Sequence, residues 1–449
     1  MNRLLPWLLG VSLLAGCATA PTPEKSSAAL AIPATDAGLP GVGPIRRYDW
    51  FQKLWQDRRT QWAHHLSEDQ GAVVFLGDSI TQGWGDDFKH LFDGMKLANR
   101  GISGDTTRGV LIRLREDVID VHPKAIVLLI GTNDLDEHGT PEMCAENMKL
   151  ILAELHRGLP RTPIILCQVF PSSPSKNRPP EAIKKMNSLY LQLVKGDRRV
   201  IYLETWPLFA DPTGNAKLEE MPDLLHPNAI GYAKWAAGLR PVFATLGLIE
   251  TAPDLFVPEA GFNSLFNGRD LSGWGYRPTT PDDVRNAKQW QARDPNAAAW
   301  PVVSRAVSFD GLTSTPDGRY VAKNGRLIVT TPPEYRKIQK LSTTRDFPTN
   351  FILKLEFRAT PNTDSGVFIR EPQLQCRDYL IAGPYILLKK YKPQDWNEIV
   401  VTVRDGKAHC ECNGELLEDA MPVPATGPIG LEGDRGQMEY RRIRLRELP

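Results

Sequence analysis

Val73-Val74-Phe75-Leu76-Gly77-Asp78-Ser79-Ile80-Thr81 decides the fold: an apolar run of strand type meets a glycine turn, and a serine follows where a helix would begin. Such a short, wholly apolar run suits a strand covered on both faces, as in parallel sheets. Comparable runs lie at Lys96 to Asn99, Ala125 to Ile130, Ile164 to Val169 and Val200 to Leu203. Helical patterns separate them at Thr107 to Val118, Pro141 to Arg157 and Glu181 to Lys195, with a last helix at Ala229 to Leu246. The alternation predicts a doubly wound α/β domain with a parallel sheet. Phe51, Leu54, Trp55, Trp62 and Leu66 fall on one face of an amphipathic helix that leads into it.

Open α/β sheets place their chemistry beyond the carboxyl ends of the strands. Three separated stretches are candidates for that rim: Gly77-Asp78-Ser79-Ile80-Thr81, Gly131-Thr132-Asn133-Asp134 and Asp223-Leu224-Leu225-His226-Pro227. Alone, Ser79 would serve as a helix N-cap, Asn133 as a turn residue and His226 as a loop histidine. Together they supply a nucleophile, an amide donor and an Asp/His pair. A serine hydroxyl needs a base within hydrogen-bond reach, itself oriented by a third group. Asp223 and His226 are three apart, so the carboxylate can hold Nδ1 and leave Nε2 free for Ser79. The tetrahedral oxyanion then needs donors. Asn133 offers its side-chain amide, and the backbone amides of Ser79 and Gly101 are the other expected donors. Asp78 and Asp105 are read first as turn-bonding residues and second as residues that shape the pocket or bind its rim, Trp84 as a core cap or substrate wall, and Arg108 as solvated.

With these residues on the page, the stretch from about 70 to 248 resembles the SGNH, or GDSL, hydrolase superfamily. The blocks are GDSIT at 77–81, NRGISGDTT at 99–107, GTND at 131–134 and DLLHP at 223–227. The second is most similar to the branch of platelet-activating-factor acetylhydrolase subunits and bacterial relatives acting on acyl groups of carbohydrates. The resemblance implies Ser79 as nucleophile, His226 as base, Asp223 as its partner, and Gly101 and Asn133 in the oxyanion hole. No GxSxG elbow surrounds Ser79, which disfavours the α/β-hydrolase fold.

After Leu248 the pattern changes. Residues 251–260 read as a linker, and from Gly261 strand-like runs replace helices: Arg326 to Thr330, Phe351 to Ala359, Gly366 to Arg370, Glu398 to Arg404, Lys407 to Cys412 and Tyr440 to Arg446. Turn pairs such as Asp405-Gly406 and Asn413-Gly414 punctuate them, predicting an antiparallel sandwich. Residues 277–320, rich in Pro, Asp and Ala, read as a long loop. Residues 261–449 resemble the 3-keto-disaccharide hydrolase family of concanavalin-like jelly rolls, through GFNSLFNGRDLSGW at 261–274, LEFRATPNTDSGVFIR at 355–370, DWNEIVVTVRDGKAHCECNGE at 395–415 and GPIGLEGDRGQMEYRRIRL at 427–445. Glu356, Arg358, Asp364, Arg370, Gln373, Gln375, Arg377 and Asp378 are its candidate sugar-site residues. Alternating charges on a sandwich are equally the mark of its wet face. Only Glu371-Pro372 separates the 366–370 strand from Gln373, a shorter passage than the family's, so an altered pocket is expected.

The 449 residues carry a formal net charge of +1 from near-balanced acids and bases, giving no ground for a nucleic-acid partner. Residues 1–17 read as a secretory signal with a short apolar run, ending in Leu14-Ala15-Gly16-Cys17, which resembles a bacterial lipobox. That resemblance implies a lipid on Cys17, a membrane anchor and, because residue 18 is alanine, the outer membrane. Residues 18–43 read as a flexible tether. Five further cysteines make a complete disulfide framework unexpected, and Cys410 and Cys412 read as buried small hydrophobes. No metal or cofactor is expected. The function expected for residues 44–250 is a serine esterase acting on an acylated carbohydrate or small ester. Two alternatives stay open: a 3-keto-sugar glycosidase with the esterase auxiliary, and an esterase with a purely sugar-binding sandwich.

Overall fold

The computed structural model describes residues 30–449 apart from 250, 253, 295–296 and 379–383. The signal segment, Cys17 and the first part of the tether therefore lie outside the described residues. From Leu30 onward the chain packs rather than dangles: Leu30 and Ile32 are buried, and Asn147 brackets Val42 with two backbone hydrogen bonds. Arg108, expected in solvent, is buried beneath this segment. It pairs with Asp36 at 2.6 Å and donates to the Pro40 and Gly43 carbonyls.

Five parallel strands, β1 (Val73–Gly77), β2 (Leu97–Gly101), β3 (Ala125–Leu129), β4 (Ile164–Cys167) and β5 (Val200–Leu203), form a sheet in the order β2-β1-β3-β4-β5. The helices around it are α1 (Asp49–His64), α2 (Ser79–Gln82), α3 (Thr107–Asp117), α4 (Thr132–Asp136), α5 (Pro141–Gly158), α6 (Pro180–Val194) and α7 (Ala229–Leu246). Alternate residues of β1 face opposite layers, which is why the whole run is apolar. Val74 and Leu76 pack in one core with Ile126, Met148 and Ile183, while Val73 and Phe75 pack in the other with Trp84, Phe92 and Trp235. The chain leaves β1 toward β2 on one side and has β3 on the other. The ends of β1 and β3 thus flank the crevice where strand order reverses, the usual ligand position in such sheets.

The second half is a sandwich of two antiparallel sheets. One runs β17 (Glu415–Pro422), β16 (Lys407–Cys412), β15 (Asn397–Arg404), β12 (Phe351–Ala359), β19 (Met438–Glu447), β10 (Arg326–Val329), β9 (Tyr320–Lys323), with β6 (Asn263–Ser264) added on β19. The other runs β14 (Gln373–Arg377), β13 (Asp364–Ile369), β18 (Ile429–Gly433), β11 (Gln339–Thr343), β7 (Trp274–Tyr276), β8 (Val307–Ser308). Strict alternation on β12 buries Phe351, Leu353, Leu355, Phe357 and Ala359 between the sheets. The segment read as a loop at 277–320 contains helix α8 (Pro281–Arg293), started by a capping box between Thr280 and Asp283. Cys410 and Cys412 are buried and free, as are Cys144, Cys167 and Cys376. The halves meet through polar contacts: Gln437 Nε2 donates to the Pro241 carbonyl at 3.0 Å, and Asn362 Nδ2 to Glu204 Oε2 at 2.6 Å. Among the described residues no helix is long and apolar enough to cross a membrane, and no group of three His, Cys, Asp or Glu could hold a metal ion.

Candidate active site

Ser79 opens α2 directly after β1, with Asp78 as N-cap accepting from the Ile80 amide at 2.9 Å. The loop before α7 brings Asp223 and His226 to the same rim. Asp223 Oδ1 accepts the amides of Leu225 at 3.0 Å and His226 at 2.7 Å, folding the loop so that Oδ2 meets the ring of its own turn. His226 Nδ1 lies 2.7 Å from that oxygen and His226 Nε2 lies 2.9 Å from Ser79 Oγ. An ionised carboxylate only accepts, so Nδ1 carries the ring proton and Nε2 is the acceptor facing the hydroxyl. Burial raises the Asp223 carboxyl, but the bonds from the His226 amide and ring and from the Leu225 amide outweigh it and hold it below its usual range. Ser79 and His226 face an open cleft of about 390 Å³ whose lining includes Gln82, Lys89, Ser103 and Tyr232.

The donor expected at Gly101 is a correction. Its N–H already donates to Asn99 Oδ1 at 3.0 Å. Glycine is needed there for another reason: a Cβ would sit 2.2 Å from the Gln82 amide nitrogen, where β2 closes against α2. Along the same loop, Ile102 N–H is committed to the Gly77 carbonyl, Ser103 N–H to Gln82 Oε1, Asp105 N–H to the Ile102 carbonyl and Thr106 N–H to Asp105 Oδ1. Gly104 is the residue of this run whose amide has no partner among the described residues. Its φ of +89° is the left-handed turn that favours glycine. Asn133 Nδ2 donates one proton to the Asp105 carbonyl at 3.0 Å, leaving its second free.

Arg178, which the sequence reading passed over, fixes that amide. Its Nη2 donates to Asn133 Oδ1 at 3.0 Å and its Nε to the Thr132 carbonyl at 3.1 Å. It sits in Lys176-Asn177-Arg178-Pro179-Pro180, a stretch with no periodicity to mark it. Three buried carboxyls lie beneath the site. Burial pushes Asp78 and Asp134 up to about 7, against bonds from Ile80 and Thr107, and Asp105 up to about 6 against its pair with Arg113. Raised carboxyls of this kind place less negative charge under the cleft than ionised ones would. Trp84 is fully buried in the core and is not a cleft wall.

The candidate sugar-site residues of the sandwich do not share a face. Glu356 is bound by Arg441 at 2.7 Å and Arg442 at 2.9 Å, and Arg358 by Glu439 at 2.8 Å, all on the outer face of the sheet containing β12. Arg370 turns away at positive φ to donate to the Pro424 and Thr349 carbonyls. Strand register separates the rest from these: Gln373, Gln375 and Arg377 alternate outward against buried Leu374 and Cys376, and β13 sets Asp364 opposite Arg377. Arg377 Nε donates to Asp364 Oδ1 at 2.6 Å, and Gln373 donates its amide to Glu432 of β18. Asp378, at the end of β14, caps the Asn362 amide and accepts from Gln394. Glu432 was missed, although its alternation with Ile429 and Leu431 marks it as outward-facing. Burial, then the nearby Asp434 and Asp364, push its carboxyl up to about 8.

Two family models match the chain. One, the GDSL-like lipase/acylhydrolase family, covers residues 75–234, and the other, the 3-keto-alpha-glucoside-1,2-lyase-like domain, covers residues 261–446. Among similar proteins, platelet-activating factor acetylhydrolase IB subunit alpha1 of Pongo abelii is 27% identical over 196 residues, 43% of this chain and 84% of that protein. Subunit alpha2 of Homo sapiens is 28% identical over 203 residues, 44% of this chain and 87% of that protein. Among solved structures, a GDSL-like lipase from Bacteroides thetaiotaomicron is 23% identical, with a TM-score of 0.37, 42% of this chain and 97% of that one covered. Residues 75–234 are a GDSL-like acylhydrolase domain, and residues 261–446 a 3-keto-disaccharide hydrolase-like domain.

Proposed function

We propose that the N-terminal domain is a serine ester hydrolase that removes acetyl or similarly short acyl groups from carbohydrate. The observation that carries this is the chain of contacts from Asp223 through His226 to Ser79, 2.7 and 2.9 Å long, at the mouth of an open cleft. Ser79 Oγ attacks the acyl carbonyl while His226 Nε2 takes its proton. The oxygen that becomes negative is met by the amides of Ser79 and Gly104 and by Asn133 Nδ2. Collapse of the intermediate breaks the ester C–O bond, and His226 returns the proton to the departing alcohol. Water then cleaves the acyl-Ser79 ester with His226 again as base.

Hydrolysis of p-nitrophenyl esters of increasing chain length tests the reading: turnover should be greatest at acetate and vanish in Ser79→Ala. Wild-type turnover in that variant would overturn it.

For the sandwich, the cluster of Glu432, Gln373, Gln375, Arg377 and Asp364 favours a sugar-acting role over a mere wet face. A carboxyl pushed up to about 8 is largely protonated at neutral pH, the state a general acid needs. The full-length protein should release sugar from a 3-keto-disaccharide, and Glu432→Gln should abolish that release. Binding without release would make the sandwich a binding module. The lipid anchor at Cys17 belongs to the same proposal. Cys17→Ala should move the protein from the membrane to the soluble envelope fraction, and an unchanged distribution would remove the anchor.

A further inference from the structure

We propose that Tyr48 and Trp50 form a stacking platform beside the Ser79 cleft that receives a pyranose ring of the acylated substrate; this rests on the esterase reading of that cleft. Both aromatic residues stand at the start of α1 and each keeps 52% of its surface exposed. The same helix buries Phe51, Trp55 and Trp62, so apolar burial was open to it and these two rings do not take it. Their planes lie within 13° of one another with centroids 6.3 Å apart. Rings stacked in this way keep an outer face open to solvent, unlike the edge-to-face packing that aromatic pairs also adopt.

The platform is anchored and it adjoins the reacting site. Trp50 packs edge-on against the buried ring of Phe51, centroids 5.7 Å apart at 80°. Its far edge abuts Gly104: a Cβ on that glycine would stand 2.8 Å from Trp50 Cη2. Gly104 carries the free amide of the oxyanion loop, and its neighbour Ser103 lines the cleft. Trp50 thus touches the loop that carries Gly104, one residue along from Ser103 in the cleft lining.

The chemistry of the edge narrows the occupant. Tyr48 OH reaches both oxygens of Glu137, at 3.4 and 3.3 Å, and Arg46 Nε holds the same carboxylate at 2.6 Å. A flat π surface bordered by a fixed carboxylate and a phenol fits a ligand with C–H groups on its face and hydroxyls on its rim. The C–H bonds of a pyranose meet the negative face of the rings, and its hydroxyls donate to Glu137. An alkyl chain would bring no donor to Glu137, which Arg46 and Tyr48 already hold in place at the rim.

The test compares Trp50→Ala, Tyr48→Ala and the double variant with the wild type on partly acetylated xylotetraose and on p-nitrophenyl acetate. The ratio of kcat/KM on the sugar ester to that on p-nitrophenyl acetate should fall about tenfold for Trp50→Ala, further for the double variant, and be largely kept by Trp50→Phe. In a Ser79→Ala background, calorimetric titration with the same xylotetraose should show binding that Trp50→Ala weakens by a similar factor. An unchanged ratio, or a wild type that cleaves p-nitrophenyl acetate but neither cleaves nor binds the sugar ester, overturns the platform and leaves the ester chemistry standing. Undiminished p-nitrophenyl acetate turnover in Ser79→Ala overturns the esterase reading instead.

Discussion

Arg178 Nη2 donates to Asn133 Oδ1 at 3.0 Å while Asn133 Nδ2 donates to the Asp105 carbonyl at 3.0 Å, so the orientation of this amide is set by chemistry on both sides. A guanidinium cannot accept and a carbonyl cannot donate, hence only one flip satisfies both. The remaining amide proton has one direction left. Arg178→Met should therefore lower kcat on p-nitrophenyl acetate by about ten- to a hundredfold with little change in KM, since the donor it orients acts on the transition state. Arg178→Lys should recover little, because one ammonium cannot span the Thr132, Asn133, Asp136 and Lys176 oxygens that Arg178 reaches. Assays well below each variant's melting temperature separate lost orientation from lost folding. A rise in KM at constant kcat would count against the role.

Gly101 and Gly104 should fail in different ways. At Gly104 an added Cβ meets positive φ and the Trp50 ring, at the residue whose amide is free. Gly104→Ala should cost about a hundredfold in kcat, the size of one lost oxyanion donor. At Gly101 the added carbon strikes the backbone at Gln82 N and Asp78 O, so Gly101→Ala should lower the melting temperature, by an amount matching about 2–4 kcal/mol. Thermal melts read beside single-turnover acylation distinguish the two. A Gly104→Ala protein with wild-type acylation would return the donor role to another amide.

Asp223→Asn keeps the size of the side chain but offers the imidazole the wrong partner. The amide nitrogen can donate to Nδ1 and so favour the tautomer with the proton on Nε2, which cannot take the proton of Ser79. Where such a carboxylate is fully buried the loss is about ten-thousandfold. Asp223 is 47% exposed, so water can partly replace it, and a smaller loss of about a hundred- to a thousandfold is expected. Steady-state kcat of Asp223→Asn and Asp223→Ala should then be similar. A much milder Asn variant would mean that the carboxylate only holds the loop.

The sheet was legible because burial on both faces writes itself as apolar runs, and β1, β3, β4 and β5 begin where those runs begin. Ser79, Asp223 and His226 were legible because their spacing forces local geometry: one starts a helix and the other two share a turn. Gly101 misled, because a glycine tells only that backbone comes close. At 101 what comes close is α2, and the free amide lies three residues on. Arg178 left no trace, since its role depends on a loop after β4 returning over α4. In the sandwich, strand polarity could be read but not sheet membership. Glu356 and Asp364 look alike along the chain and lie on opposite outer faces because β12 and β13 belong to different sheets. Helix α8 was hidden by Pro281, Asp282 and Asp283, which read as loop residues and in fact begin it.

Glu432 gives the sandwich a pH signature of known sign. Burial and the neighbouring Asp434 and Asp364 raise its carboxyl from about 4.5 to about 8, against the pull of Gln373 and Arg377. Between those values the folded protein keeps a proton that the unfolded chain has already released. Folding stability from this group is complete below about pH 4.5 and declines as pH rises through about 8. Glu432→Gln cannot ionise, so it removes the decline. Asp78 and Asp134 are raised to about 7 and contribute slopes of the same sign, so the useful quantity is the difference between the two proteins. Urea midpoints at pH 5 and pH 8.5 should fall more for the wild type than for Glu432→Gln, by an amount on the order of a few kcal/mol. Parallel midpoints would show that Glu432 is ionised in the folded protein, and the general acid assigned to this face would be lost with it.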